Sequence, residues 1–161
     1  MTTYAKDDIR STLPTATPTV EVDPSTPIRP SQWIEFLNLE PSETLPRGSR
    51  VWNARGANLV VSYVDGRAGD VLARTGQVDE YAVLQYSESA RIRVVAPDAT
   101  ADVDEEAFVV VPPGDSRVEL LSDGPVIRLF SVRSDDLRES ALNADAYAEP
   151  DVRCAPLTEW P

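Results

Sequence analysis

Any chemistry in this 161-residue chain has to be done without histidine, because the sequence contains none. The acid–base work and transition-metal ligation that imidazole usually supplies are therefore closed to it. All but one of the 15 basic residues are arginine, Lys6 being the exception. A planar guanidinium suits paired hydrogen bonding to carboxylate or phosphate, which makes Arg74, Arg117 and Arg128 candidate anchors for a polar or anionic ligand. The same side chains serve equally well to bridge surface acids, which the chain holds in excess. The hydroxyls of Tyr63, Tyr81 and Tyr86 can act as acid or base when tuned, and otherwise line a core or pocket wall. Asp79 and Glu80 could hold a hard ion such as Mg²⁺, though neighbouring acids more often mark a solvated turn. The single cysteine, Cys154, sits in the polar stretch Asp151-Val152-Arg153-Cys154-Ala155-Pro156. It can form no internal disulfide or zinc site alone, and with no histidine as base it reads as an incidental thiol.

These residues lie on a β-rich framework. From Arg50 onward the texture is one of short β-type runs separated by turn signals. Strands are expected at Arg50–Ala54, Asn58–Val64, Val71–Thr75, Glu80–Tyr86, Arg91–Val95, Phe108–Val111, Arg117–Leu121 and Val126–Val132. Arg55-Gly56, Asp65-Gly66, Pro97-Asp98, Pro113-Gly114-Asp115 and Asp123-Gly124-Pro125 fall between them. Many short strands at close spacing argue for a sandwich or barrel rather than βαβ units. Asp98 to Glu106 reads as an acidic exposed loop. Ser134-Asp135-Asp136-Leu137 opens a helix expected to run to about Ala148, before Pro150.

Ahead of the strands, residues 1 to about 30 form a Pro/Thr-rich arm, with prolines at 14, 18, 24, 27 and 30. That spacing prevents a helix and favours extended backbone, either free or laid along a neighbouring surface. Trp33, Phe36 and Leu37 follow at helical spacing behind Ser31, in a segment short enough to be a strand instead. The chain thus divides into an arm and lead-in (1–49), a β core (50–133) and a carboxy-terminal helix and tail (134–161), within one domain.

A formal net charge of −12 opposes association with nucleic acid and anionic membranes. No apolar run is long enough to span a bilayer, and the amino terminus lacks the order of a secretory signal. A cytoplasmic location is the expectation.

The segments Gly69-Asp70-Val71-Leu72-Ala73-Arg74-Thr75-Gly76-Gln77-Val78-Asp79-Glu80-Tyr81 and Phe108-Val109-Val110-Val111-Pro112-Pro113-Gly114-Asp115-Ser116-Arg117 resemble the two motifs of the cupin superfamily. The resemblance implies an all-β, cupin-type jelly-roll β-barrel, with an extended amino-terminal arm and a short carboxy-terminal helix or tail. In cupins these motifs commonly hold a divalent metal on histidines. Here Thr75 and Gln77 stand at the two histidine positions of the first motif, and Glu80 lies one residue short of its glutamate. In the second motif Arg117 stands at the histidine position. If that register holds, Arg117 points into the barrel with Glu119 and Leu121 on its face, and Glu80 or Glu119 is its expected partner. Arg128 and Phe130 share a face on the last strand.

The resemblance therefore implies a metal-free cupin-like protein with no cofactor. It would bind a polar or anionic small molecule in the barrel through Arg117, Arg128, Arg74, Gln77 and Thr75, or act as a non-catalytic subunit. The alternative is a metal-independent isomerase, epimerase or lyase using Glu80, Tyr81 and Arg117. A homodimer, or a hetero-oligomer with a metal-bearing cupin, is the expected assembly.

Overall fold

Alternation of inward and outward side chains dominates the computed structural model, which describes residues 33–147. Those residues form ten strands. The first four are β1 (Glu43–Thr44), β2 (Arg50–Arg55), β3 (Leu59–Gly66) and β4 (Val71–Gln77). They are followed by β5 (Tyr81–Gln85), β6 (Ile92–Ala96), β7 (Ala99–Val103) and β8 (Ala107–Val111). The last two are β9 (Gly114–Leu120) and β10 (Gly124–Ser131), after which comes a short helix, α1 (Asp135–Glu139). Two antiparallel sheets result, ordered β1-β2-β3-β10-β5-β8 and β4-β9-β6-β7. The eight strands from β3 to β10 thus divide between two four-stranded layers, crossing at every connection except the β6–β7 hairpin, the connectivity of a jelly roll.

The two sheets enclose one core. Val60 and Val64 of β3, Val126 and Phe130 of β10, and Tyr81 and Val83 of β5 face inward from the larger sheet. Leu72, Ile92, Val94, Val118 and Leu120 meet them from the smaller one. Trp52 of β2 is fully buried although both its strand neighbours, Val51 and Asn53, are also buried. Its ring is covered from outside by the lead-in. The indole Nε1 donates to the Leu39 carbonyl at 2.9 Å, and Phe36 stacks on the adjacent Tyr63 with centroids 5.1 Å apart.

The expected strands are present, with three local differences. The acidic stretch 98–106 is exposed except at Val103 but is loop only at 104–106, since Ala99–Val103 pairs with β6 through a two-residue turn at Pro97-Asp98. Arg93 and Asp102 face each other across that ladder and form a two-pronged ion pair at 2.5 and 2.9 Å, which offsets the local charge. Helix α1 ends at Glu139 rather than Ala148 because the part of the β2 edge that β1 leaves uncovered, at Asn53 and Arg55, captures the chain beyond it. The Leu142 N–H donates to the Asn53 carbonyl, and the Asn143 side chain bonds both backbone groups of Arg55. Among the described lead-in residues only Phe36–Asn38 is helical, as one 3₁₀ turn, and Trp33 and Leu37 remain exposed. The expected amino-terminal arm, Ser31, Cys154 and the carboxy-terminal tail lie outside the described residues.

Asp70, within the first motif, is a structural clasp. Its carboxylate accepts from the backbone N–H groups of Arg47 and Ser49 at 2.8 and 3.0 Å, tying the turn before β2 to the β3–β4 connection. Burial works to raise its pKa, but these bonds, with Ser49 and the charge of Arg47, hold it below the usual carboxylate value. The stability it contributes is therefore present above about pH 4 and lost as the pH falls through the lower, folded-state value. Asp70→Asn is expected to cost about 1–3 kcal/mol at pH 7. It should also flatten the acid side of the melting-temperature profile, measured from pH 7 to pH 2; a profile parallel to wild type would remove this role.

Candidate functional site

One end of the space between the sheets is polar, and a bulge in β4 builds it. Arg74 pairs with Ser116 and Gln77 with Gly114, so two residues, Thr75 and Gly76, stand opposite Asp115 alone. Gly76 takes the left-handed conformation this requires, with φ at 59° and its N–H bonded to the Asp115 carboxylate. The extra residue brings Arg74 and Gln77, three positions apart, to the same inner side. Arg74 Nε donates to Gln77 Oε1 at 2.9 Å, and Gln77 Nε2 donates to Ser134 Oγ at 2.9 Å. Both terminal nitrogens of Arg74 grip the Asp136 carboxylate, at 2.6 and 3.0 Å. Arg74 is 12% exposed and Asp136 63%, so this pair stands between the cluster and solvent.

Phe130 is the floor of the cluster. Its ring stacks on Tyr81 at 4.6 Å, while the guanidinium carbons of Arg74 and Arg128 each lie 5.3 Å from its centroid. The Tyr81 hydroxyl meets Ser116 Oγ at 3.0 Å. Deeper in, Arg128 is only 4% exposed and lies on a ladder row between Ser62 of β3 and Val83 of β5. Its Nη2 donates to Ser62 Oγ at 3.1 Å, whereas its Nε has no hydrogen-bond partner. Among the described residues no acid lies within ion-pair distance of it. Burial first, and then the nearby charge of Arg74, pull its pKa down to about 10 against the opposing influence of Tyr81, Glu43 and Asp136. Asn53, the next residue along that row, carries a second buried atom without a partner, its Oδ1.

Of the residues expected from sequence, the structure brings together Arg74, Gln77, Tyr81 and Arg128 and leaves out the other three. Thr75 is exposed on the bulge, and Glu80 is exposed just before β5. Arg117 does not enter the barrel. It is 51% exposed on the outer face of the smaller sheet, where its Nε donates to Glu119 at 2.7 Å beside the Arg93–Asp102 pair. Ser116, one residue earlier, takes the inward position. Hence Glu80, Tyr81 and Arg117 do not converge on one volume. The alternation of β9 held the missed signal: Ser116, Val118 and Leu120 form a far more apolar set than Arg117, Glu119 and Leu121. Ser62 and Asn53 were invisible for another reason, since a polar residue on a strand gives no sign of what it faces, while Ser134 read only as a helix start.

No protein-family profile and no curated protein matches the chain. Solved structures do. KdgF from Halomonas sp. superposes with a TM-score of 0.53 at 20% identity, covering 66% of this chain and 98% of that one. An RmlC-like cupin from Shewanella frigidimarina gives 0.52 at 16% identity, covering 66% and 96%. The chain has the all-β jelly-roll fold of the cupins.

The divalent metal common in that fold does not suit these side chains. The inward donors at this end are two guanidiniums, an amide and hydroxyls, and the guanidiniums repel a cation. Among the described residues no three of His, Cys, Asp and Glu come together as ligands. No described helix is long and apolar enough to cross a membrane.

Proposed function

We propose that this protein is a metal-free cupin-fold binding protein that takes a small anion, a carboxylate or phosphate, between its sheets. The observation that carries the reading is Arg128, a buried guanidinium with one neutral hydrogen bond, an unpartnered Nε and no described acid within ion-pair distance. A charge so placed is costly unless compensated, and a bound anion compensates it with paired, charge-assisted bonds. Tyr81, Ser116 and Gln77 supply neutral hydrogen-bonding groups nearby, and the Arg74–Asp136 pair lies where a ligand would pass.

Titration with small mono- and dicarboxylates and with inorganic phosphate, followed by melting temperature and calorimetry, tests the reading. Chloride at matched ionic strength controls for screening. At an anion concentration 100 times the dissociation constant, stabilisation should reach about 2.7 kcal/mol. Arg128→Met should abolish it. Equal responses from wild type and variant, or no response to any of these anions, would overturn the assignment.

A further inference from the structure

The outer face of the larger sheet carries two rows of uncharged side chains that cross five strands. One row runs Trp52, Tyr63, Ile127, Leu84, Phe108 through successive ladder partners. The adjacent row includes Val61 and Leu129 and ends at Val110. The lead-in covers the β2 end of the first row, where Trp52 has no exposed surface. At the β8 end Phe108 is 61% exposed and Val110 56%. Strand β8 is also the edge of the sheet, and among the described residues its backbone pairs only with β5. Its sequence, Ala107-Phe108-Val109-Val110-Val111, holds no charge and no proline. It lacks the usual devices that keep an edge strand from pairing with another chain.

From this edge we infer that two copies of the chain associate by antiparallel pairing of β8 with β8 about a two-fold axis at Val109. The sheet then continues from one copy into the next, and the Phe108 and Val110 side chains of both copies meet on its outer face. Charge selects this occupant and this direction. The chain carries a net charge of −12, so a second copy can approach closely only through a neutral surface. Asp104, Glu105 and Glu106 directly precede the strand, while Pro112, Pro113 and Gly114 directly follow it. Antiparallel pairing centred on Val109 sets Glu106 opposite the partner's Pro112, and Glu105 opposite the partner's Pro113. A parallel arrangement would set the acids against one another. Because proline donates no backbone hydrogen bond, the ladder ends at Val111 and the interface stays short. A reversible dimer is expected rather than an obligate one.

Light scattering and sedimentation of the full chain over about a hundredfold range of concentration provide the test. The mass should rise from one chain to two and go no further. Val110→Lys and Phe108→Glu alter exposed side chains, so the fold is retained while the mass of each variant stays at one chain throughout. As a measurement that needs no variant, amide exchange across residues 107–111 should slow as concentration rises, while β3 and β10 do not change. A wild type that is monomeric throughout overturns the inference, whether the face is then free or covered by another partner. So does a dimer that survives both substitutions with unchanged exchange at β8.

Discussion

Replacing Arg128 with methionine is expected to make the protein more stable, not less. Methionine keeps the unbranched stem that packs between the sheets and removes a charge that no described ion pair neutralises. What the guanidinium gains in place at most offsets the cost of burying it. One hydrogen bond to Ser62 contributes about 1.5–3 kcal/mol, and the contact with Phe130 adds about 2 kcal/mol when desolvated. Against these stands a burial penalty of several kcal/mol for the ion. Replacement of buried charges by well-packed apolar groups is often neutral or stabilises by about 1–4 kcal/mol. Arg128→Met should accordingly raise the melting temperature by roughly 2–10 °C in anion-free buffer, read by calorimetry. The same substitution should abolish the response to carboxylates and phosphate. Together these outcomes describe a residue retained at a cost to stability because a ligand needs it. A variant destabilised by more than about 1 kcal/mol would show instead that Arg128 has an interior partner and serves the fold.

Gly124→Ala is expected to have the largest effect in the opposite direction. Gly124 begins β10 opposite Gly66 and adopts a φ of 154°, within the range that favours glycine. A Cβ there would stand 2.8 Å from the Ala90 Cβ and 2.9 Å from its Cα. Ala90 cannot give way easily, because it is buried and its carbonyl accepts from Gln85 Nε2 at 2.6 Å. Backbone strain of about 1–3 kcal/mol then adds to an overpacking cost of similar size. The melting temperature should fall by on the order of 10 °C. Gly48→Ala separates the two contributions, since Gly48 also has positive φ, at 95°, but has nothing within 4 Å of a Cβ. It should lose only the strain. Equal losses in the two variants would mean that the contact with Ala90 relaxes.

The β framework was legible in the residues because period-two alternation and turn chemistry are local. Each of the eight expected strands appears, and Pro97-Asp98 marks a turn where the chain does turn. Those local features reach only as far as a sandwich or barrel; the cupin-type fold was legible through the resemblance of Gly69–Tyr81 and Phe108–Arg117 to the two motifs, without their ligand residues. Strand β7 was missed because its acids read as solvated loop, and only the cross-strand Arg93 makes Asp102 at home in a ladder. The over-long helix has a similar origin: bonds from Asn53 and Arg55, nearly 90 positions away, decide where α1 stops.

What the sequence determined by itself is an acidic, β-rich chain without histidine, and hence an interior that cannot offer imidazole to a metal. Which polar side chains share that interior was decided by tertiary structure alone. One extra residue at Thr75–Gly76 turns Gln77 to the side of Arg74. In β9 the inward place goes to Ser116, and Arg117 is left among the surface acids. Strand alternation has a period of two, so a shift of one residue exchanges every inner side chain for an outer one. A bulge is fixed by the fit of two paired strands and by a glycine able to adopt positive φ, and neither is visible in one strand read alone.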